Sequence, residues 1–271
     1  MVVISVINQK GGVAKSTTAT CIAKLLSDRI KPGTDRTYRV LLVDMDPQGN
    51  ATCTFGIETD DEYTTLELLK NECTVADAVK ASRGVDVIPA DIALATLEPY
   101  LSSVALGRER RLARHLATVS DQYDVAIIDC PPSLGLLTTM ALAASTHIIV
   151  PADSGKYALK GFGDLVATVA MVREEINEDL TIAGILLTKF DGRTKSSQRA
   201  LNNAGLLAHD AGTRVIPVTI PLAVAVPDSE ERELTVVEAA PASKPALAYK
   251  ELVERLDLWI PEIACMQTSK E

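Results

Sequence analysis

A β-branched run, Ile4-Ser5-Val6-Ile7, leads directly into Asn8-Gln9-Lys10-Gly11-Gly12-Val13-Ala14-Lys15-Ser16-Thr17-Thr18. A strand that ends in a glycine turn and restarts as a helix aims backbone N–H groups and the positive helix end at one point, which is what a polyphosphate needs. At that helix start Lys15 is placed to reach the β and γ phosphates, and the Ser16 hydroxyl to bind Mg²⁺. The segment departs from the GxxxxGK[ST] pattern, because Gln9 and Ala14 stand at the two outer glycine positions.

The rest of the chain repeats the strand-to-helix alternation. Apolar, β-branched runs at 2–7, 39–44, 85–88, 124–129, 147–151, 182–188 and 214–220 read as strands buried on both faces. Helical patterns at 15–27, 107–119, 134–144, 159–176, 196–209 and 246–259 lie between and after them. Alternation of this kind predicts an α/β fold, a mostly parallel twisted sheet with helices on both faces, in which ligands sit at the carboxyl ends of the strands. Two of those ends carry acids: Leu41-Leu42-Val43-Asp44-Met45-Asp46-Pro47-Gln48-Gly49-Asn50 and Ala126-Ile127-Ile128-Asp129-Cys130-Pro131-Pro132-Ser133. If the strands are parallel, both acids share an edge with the glycine turn, and the three features together point to a metal and nucleotide site.

Composition narrows the class further. With 47% hydrophobic and 23% charged residues over 271 positions, the chain is neither disordered nor fibrous. No repeat or low-complexity linker divides it, so residues 1–271 read as a single domain whose last ~12 residues form a tail. The 36 acids and 27 bases leave a formal charge of −9, a poor balance for a protein that coats nucleic acid over its whole surface. Five cysteines without CxxC or CxH spacing read as reduced thiols of a cytosolic protein. The start lacks a signal peptide, and the apolar stretch 134–144 is about half of what a bilayer crossing needs. The acidic cluster 228–233 reads as a solvated helix start or turn.

In combination, NQKGGVAKSTT, LLVDMDPQGNAT, YDVAIIDCPPSLG, LLTKFDGRT and AYKELVERL resemble the ParA/Soj family of partition ATPases, within the deviant Walker A group of P-loop NTPases. The resemblance implies a cytoplasmic, nucleoid-associated ATP hydrolase, slow and stimulated by a partner, that uses ATP and Mg²⁺ and forms a homodimer with two ATP molecules sandwiched between subunits. It implies that Gly11, Gly12, Val13, Ala14, Lys15, Ser16 and Thr17 bind nucleotide and that Lys10 crosses to the partner's phosphates. Asp44 matches the carboxylate that positions the attacking water, and Asp129 the acid that holds Mg²⁺ through water, alongside Ser16. Asp46, Pro47, Gln48, Gly49 and Asn50, with Pro131 and Pro132, match the switch segments that read the γ-phosphate, and Thr188 and Pro221 lie where the adenine is held.

The family binds DNA without sequence preference, and Arg193 matches one of the positions used. Lys195 and Arg199 extend that patch, whereas Leu222 stands where an arginine is frequent. Ala14 replaces the usual glycine, at a cost of roughly 1 to 2 kcal/mol if the turn needs φ > 0. The arginines at 108, 110, 111 and 114 read as an exposed amphipathic face or a second patch. The closing segment 265–271 is not a basic amphipathic helix, which disfavours a membrane target. The resulting expectation is an ATPase that drives plasmid or chromosome partition with a ParB-like centremere-binding partner. The alternatives are a ParA-like ATPase that positions another cargo, such as a chemotaxis cluster or a microcompartment, and a nucleotide-gated scaffold with negligible turnover.

Overall fold

A computed structural model describes residues 1–60, 62–103, 106–153 and 161–265. The strands are β1 (Val2–Val6), β2 (Val40–Asp44), β3 (Lys80–Ser82), β4 (Val85–Ile88), β5 (Val125–Asp129), β6 (His147–Asp153), β7 (Thr181–Phe190) and β8 (Val215–Pro221). They form one sheet in the order β3-β4-β2-β5-β1-β6-β7-β8. Every pairing is parallel except β3 with β4.

Each strand of the sheet's centre feeds two cores, because successive side chains point to opposite faces. On β1, Val2, Ile4 and Val6 pack with Ile22 and Leu26 of the helix Lys15–Asp28 and with Tyr249 and Leu252 of the helix Lys244–Glu254. Val3 faces the other way, toward Met140 and Ala141 of the helix Leu136–Ala144 and Val169 of the helix Phe162–Glu175. Each such fully buried aliphatic side chain is worth about 1.5 to 3 kcal/mol, which is why these strands are apolar without alternation.

Several elements depart from the sequence reading. The patterned stretch 107–119 is not one helix: a 3-10 turn at Arg108–Arg110 precedes the helix Arg111–Ala117. The pattern at 246–259 likewise resolves into Lys244–Glu254 and a 3-10 turn at Leu256–Leu258. Residues 159 and 160 of the expected helix 159–176 lie outside the described residues. Strand β3 was not expected, since Lys-Ala-Ser has no apolar signature; it exists through the tight turn at Arg83 (φ 48°) and Gly84 (φ 83°), whose left-handed pair folds it back on β4. The short helices Thr65–Lys70 and Val75–Ala78 are each fixed by a capping box, Thr64 with Glu67 and Thr74 with Asp77. Part of the expected tail is core, because Ile260 and Ile263 are buried; residues 266–271 lie outside the described residues.

The amino-terminal edge of the sheet is held by one carboxylate. Asp124 accepts hydrogen bonds from Lys31 Nζ (2.7 Å), Arg36 Nη1 (2.6 Å), Arg36 Nη2 (3.0 Å) and the Arg39 backbone N–H (2.9 Å). Burial pushes this carboxyl up, but the bonds from Arg36, Arg39 and Lys31 outweigh it and hold the group well below the ordinary carboxylate range. A depressed folded pKa contributes stability above the unfolded value of about 3.9, lost as pH falls toward the folded one. Asp124→Ala strands buried Lys31 without its counter-charge. It should lower the unfolding free energy by about 3 to 5 kcal/mol in urea titrations at neutral pH; a loss below about 1 kcal/mol would contradict this account of the edge.

Candidate functional site

The strand register builds the opposite, carboxyl edge. Asp44 of β2 and Val6 of β1 both pair with Asp129 of β5, so the start of the glycine turn and the two acidic strand ends lie at one level. Asn8 anchors the turn: its Nδ2 donates to the Pro151 carbonyl (2.7 Å) and its Oδ1 accepts from the Lys10 N–H (2.9 Å). Gly12 (φ 72°) and Ala14 (φ 65°) are both left-handed, so Ala14 keeps the glycine conformation despite its Cβ, at the cost of roughly 1 to 2 kcal/mol. Among the described residues no side chain caps the helix that begins at Lys15. Its first N–H groups therefore offer a positive end to an anion.

A cavity of about 900 Å³ opens at this point. The turn and helix start line it through Gly11, Gly12, Ala14, Lys15, Ser16 and Thr17, facing Asp46, Gln48, Asn50 and Pro132. Thr188 and Pro221 form part of a second wall with Leu222, Val224, Val226 and Pro227. Thr188 also braces the turn, its hydroxyl donating to the Val13 carbonyl at 3.0 Å.

The two acids expected to act together are in different situations. Asp44 is fully buried and its oxygens are taken: Oδ1 accepts from Asp46 N–H (3.0 Å), and Oδ2 from Thr52 N–H (2.9 Å) and Thr52 Oγ1 (2.8 Å). It is not among the residues that line the cavity, whereas Asp46 is. Asp44 thus braces the segment that leads into the helix Asn50–Thr54, and Asp46, whose Oδ1 accepts from the Gln48 N–H (3.0 Å), presents its carboxylate to the cavity. Gly49 (φ 64°) belongs to the same brace, since a Cβ there would lie 2.8 Å from the Ala90 carbonyl oxygen. Pro47 and Pro131 do not line the cavity.

Asp129 is fully buried, and among the described residues neither of its oxygens has a hydrogen-bond partner of good geometry, although the Ser16 hydroxyl lies close by. Burial and then the charge of Asp44 push its pKa well up, against the pull of the Ser16 hydroxyl and the Lys15 ammonium. Burial also raises Asp44 to about 6, against the bonds from Thr52 and Asp46. An orphaned buried carboxylate beside a lysine and a serine hydroxyl suits a cation that is itself hydrated or phosphate-bound.

Other expected residues are engaged elsewhere. Lys10 Nζ is paired with Asp153, the end of β6, at 2.6 Å. Asp153 is a third acidic strand end, which the sequence reading missed by stopping that strand at 151. Arg193 is 90% exposed, yet its Nε and Nη2 donate to the two oxygens of Asp191 at 2.9 and 3.0 Å. Lys195 and Arg199 are exposed at the start of the helix Lys195–Asp210. The arginines of the possible second patch instead bond carbonyls near helix ends: Arg108 that of Leu101, Arg110 that of Glu175 and Arg111 that of Leu69.

A parallel sheet whose first strand opens through left-handed turns onto an uncapped helix, flanked by acidic ends of neighbouring strands, defines a P-loop NTPase. Comparison with known proteins places it more closely. Residues 1–182 match the family described as an AAA domain. Over 257 residues the chain is 39% identical to the sporulation initiation inhibitor protein Soj of Bacillus subtilis, covering 94% of this chain and 97% of that one. It is 38% identical over 255 residues to the chromosome-partitioning ATPase Soj of Thermus thermophilus, covering 93% and 94%. Among solved structures, cobyrinic acid a,c-diamide synthase from Mycobacterium smegmatis with bound ATP analogue and magnesium superposes with a TM-score of 0.81 at 35% identity, covering 96% of each chain. The chain belongs to the ParA/Soj family of partition ATPases.

The buried acids make stability depend on pH. Because their folded pKa values are raised, the fold takes up protons between about pH 4 and 6 and above, and stability falls as pH rises through that window. Asp129→Asn removes a carboxyl that is costly to ionise in the fold and should gain on the order of 2 kcal/mol at pH 8, with little change at pH 4, in urea unfolding without nucleotide. A variant less stable than the native chain at pH 8 would contradict the site electrostatics.

Proposed function

We propose that this protein is an ATPase that forms an ATP-sandwich homodimer, binds DNA without sequence preference, and drives plasmid or chromosome partition with a ParB-like centromere-binding partner. The observation that carries the nucleotide part is the orphaned Asp129 carboxylate beside Lys15 and the uncapped helix start. These groups fit Mg²⁺ with a polyphosphate, and the relative solved with an ATP analogue and magnesium supports that ligand. Bound Mg²⁺ would neutralise phosphate charge, with Ser16 a direct ligand and Asp129 acting through water.

The protein's own part is positioning and charge. Lys15 and the N–H groups of residues 11–17 bind the phosphate chain and stabilise charge that spreads over the phosphoryl oxygens during transfer. The water-orienting role expected of Asp44 falls in this proposal to Asp46, because Asp46 lines the cavity and accepts a bond from Gln48 N–H on Oδ1, while both oxygens of Asp44 are occupied and Asp44 does not line the cavity. Lys10, once released from Asp153, reaches the partner's phosphates. Hydrolysis is slow until a partner acts, since a nucleotide switch must last long enough to be read. Lys195 and Arg199 carry the DNA contact, joined by Arg193 when it leaves Asp191. The protein works in the cytoplasm on the nucleoid, and among the described residues no helix is long and apolar enough to cross a membrane. The synthase structure raises a second reading, an ATP-dependent small-molecule synthase, which has no use for DNA.

Retention on nonspecific duplex DNA separates these readings. ATP, but not ADP or absence of nucleotide, should retain the protein, with release as salt rises. Asp46→Ala should remain on DNA after excess ATP is washed away, because the ATP state no longer decays. Absence of retention in every nucleotide state would overturn the partition reading. Prompt release of the Asp46 variant would remove Asp46 from hydrolysis.

A further inference from the structure

The cavity has a phosphate end at Lys15 to Thr17 and an apolar wall at Leu222, Val224, Val226 and Pro227. Glu230 lies between them. It ends the short helix Ala225–Glu230, which springs from that apolar wall, and it accepts a hydrogen bond from Thr17 Oγ1 at 3.1 Å, at the phosphate end. Glu230 lines the cavity, and among the described residues no lysine, arginine or histidine forms an ion pair with it.

A carboxylate here does not serve the phosphates, which it repels. Among the described residues it also has no salt bridge to maintain, so its use is sought in what lies between a triphosphate and a base. That group is a ribose, whose adjacent hydroxyls are donors, and an ionised carboxylate accepts from two donors at once. Dinucleotide-binding folds meet the same need with an acidic residue on the ribose hydroxyl. The neutral cavity residues Asn50, Cys53 and Thr54 offer no comparable acceptor. The positive end of the helix Lys15–Asp28 and the Thr17 hydroxyl hold Glu230 in place.

We propose that Glu230 selects ribonucleotides, its carboxylate accepting hydrogen bonds from the ribose hydroxyls of the bound nucleotide. The inference rests on the nucleotide-site reading above. Titration calorimetry of the full chain with Mg²⁺ and either ATP or 2′-deoxy-ATP tests it, in the native protein, Glu230→Gln and Glu230→Ala. The native protein should bind ATP about tenfold more tightly than 2′-deoxy-ATP, the effect of one charge-assisted hydrogen bond. In Glu230→Ala the ratio should fall to near one, mainly by loss of ATP affinity, and Glu230→Gln should lie between. A native ratio near one, or a tenfold ratio that survives in Glu230→Ala, would overturn the role of Glu230 while leaving the nucleotide site intact. Failure of the native protein to bind either nucleotide would sink the nucleotide site itself, and this proposal with it.

Discussion

The arrangement depends on the parallel register of β1, β2 and β5. Pairing Asp44 and Val6 with Asp129 brings two acids and a glycine turn from three distant stretches to one level of the sheet. The cost is a pair of buried carboxylates, one of them with no hydrogen-bond partner of good geometry among the described residues. Such a group persists only where the surrounding packing is strong enough to hold it, and the apolar strands with helices on both faces supply that packing. The strain at Ala14 belongs to the same pattern, since a left-handed residue with a Cβ is kept where the turn must cup an anion.

Within the edge, chemistry divides among acids that look alike in sequence. Asp44 spends its oxygens on Thr52 and Asp46 and so holds a loop, Asp46 faces the cavity, and Asp153 holds Lys10. Each is an Asp at or just past the end of an apolar strand. What separates them is which N–H groups the following loop turns back toward the carboxylate, and that is a matter of tertiary geometry.

This explains how far the sequence could be read. The buried parallel strands and the phosphate turn were legible because burial on both faces and a left-handed turn each demand a narrow choice of residues over a short span. The lining residues Lys15, Ser16, Gln48, Asn50 and Pro132 were among those named from it. The capping boxes at Thr64 and Thr74 are also written in the sequence, as Thr-x-x-Glu and Thr-x-x-Asp. Strand β3 had no local signal, because an edge strand of three residues is defined by its turn and its partner. Glu230 was hidden inside an acidic cluster that reads as a solvated turn, and only the fold brings it to Thr17. Arg193 matches a DNA-contact position in sequence, but its pairing with Asp191 is a contact two residues away that a charge pattern does not reveal.

The central claim is that the unpartnered Asp129, Lys15 and the uncapped helix together form one site for a metal-bound triphosphate. Calorimetric titration of the native protein with ATP, in Mg²⁺ and then in excess chelator, tests it most directly. The account predicts one site per chain in Mg²⁺ and a loss of at least tenfold in affinity when the metal is removed. Equal affinity with and without metal would contradict it, because the buried acids would then have no cation to meet.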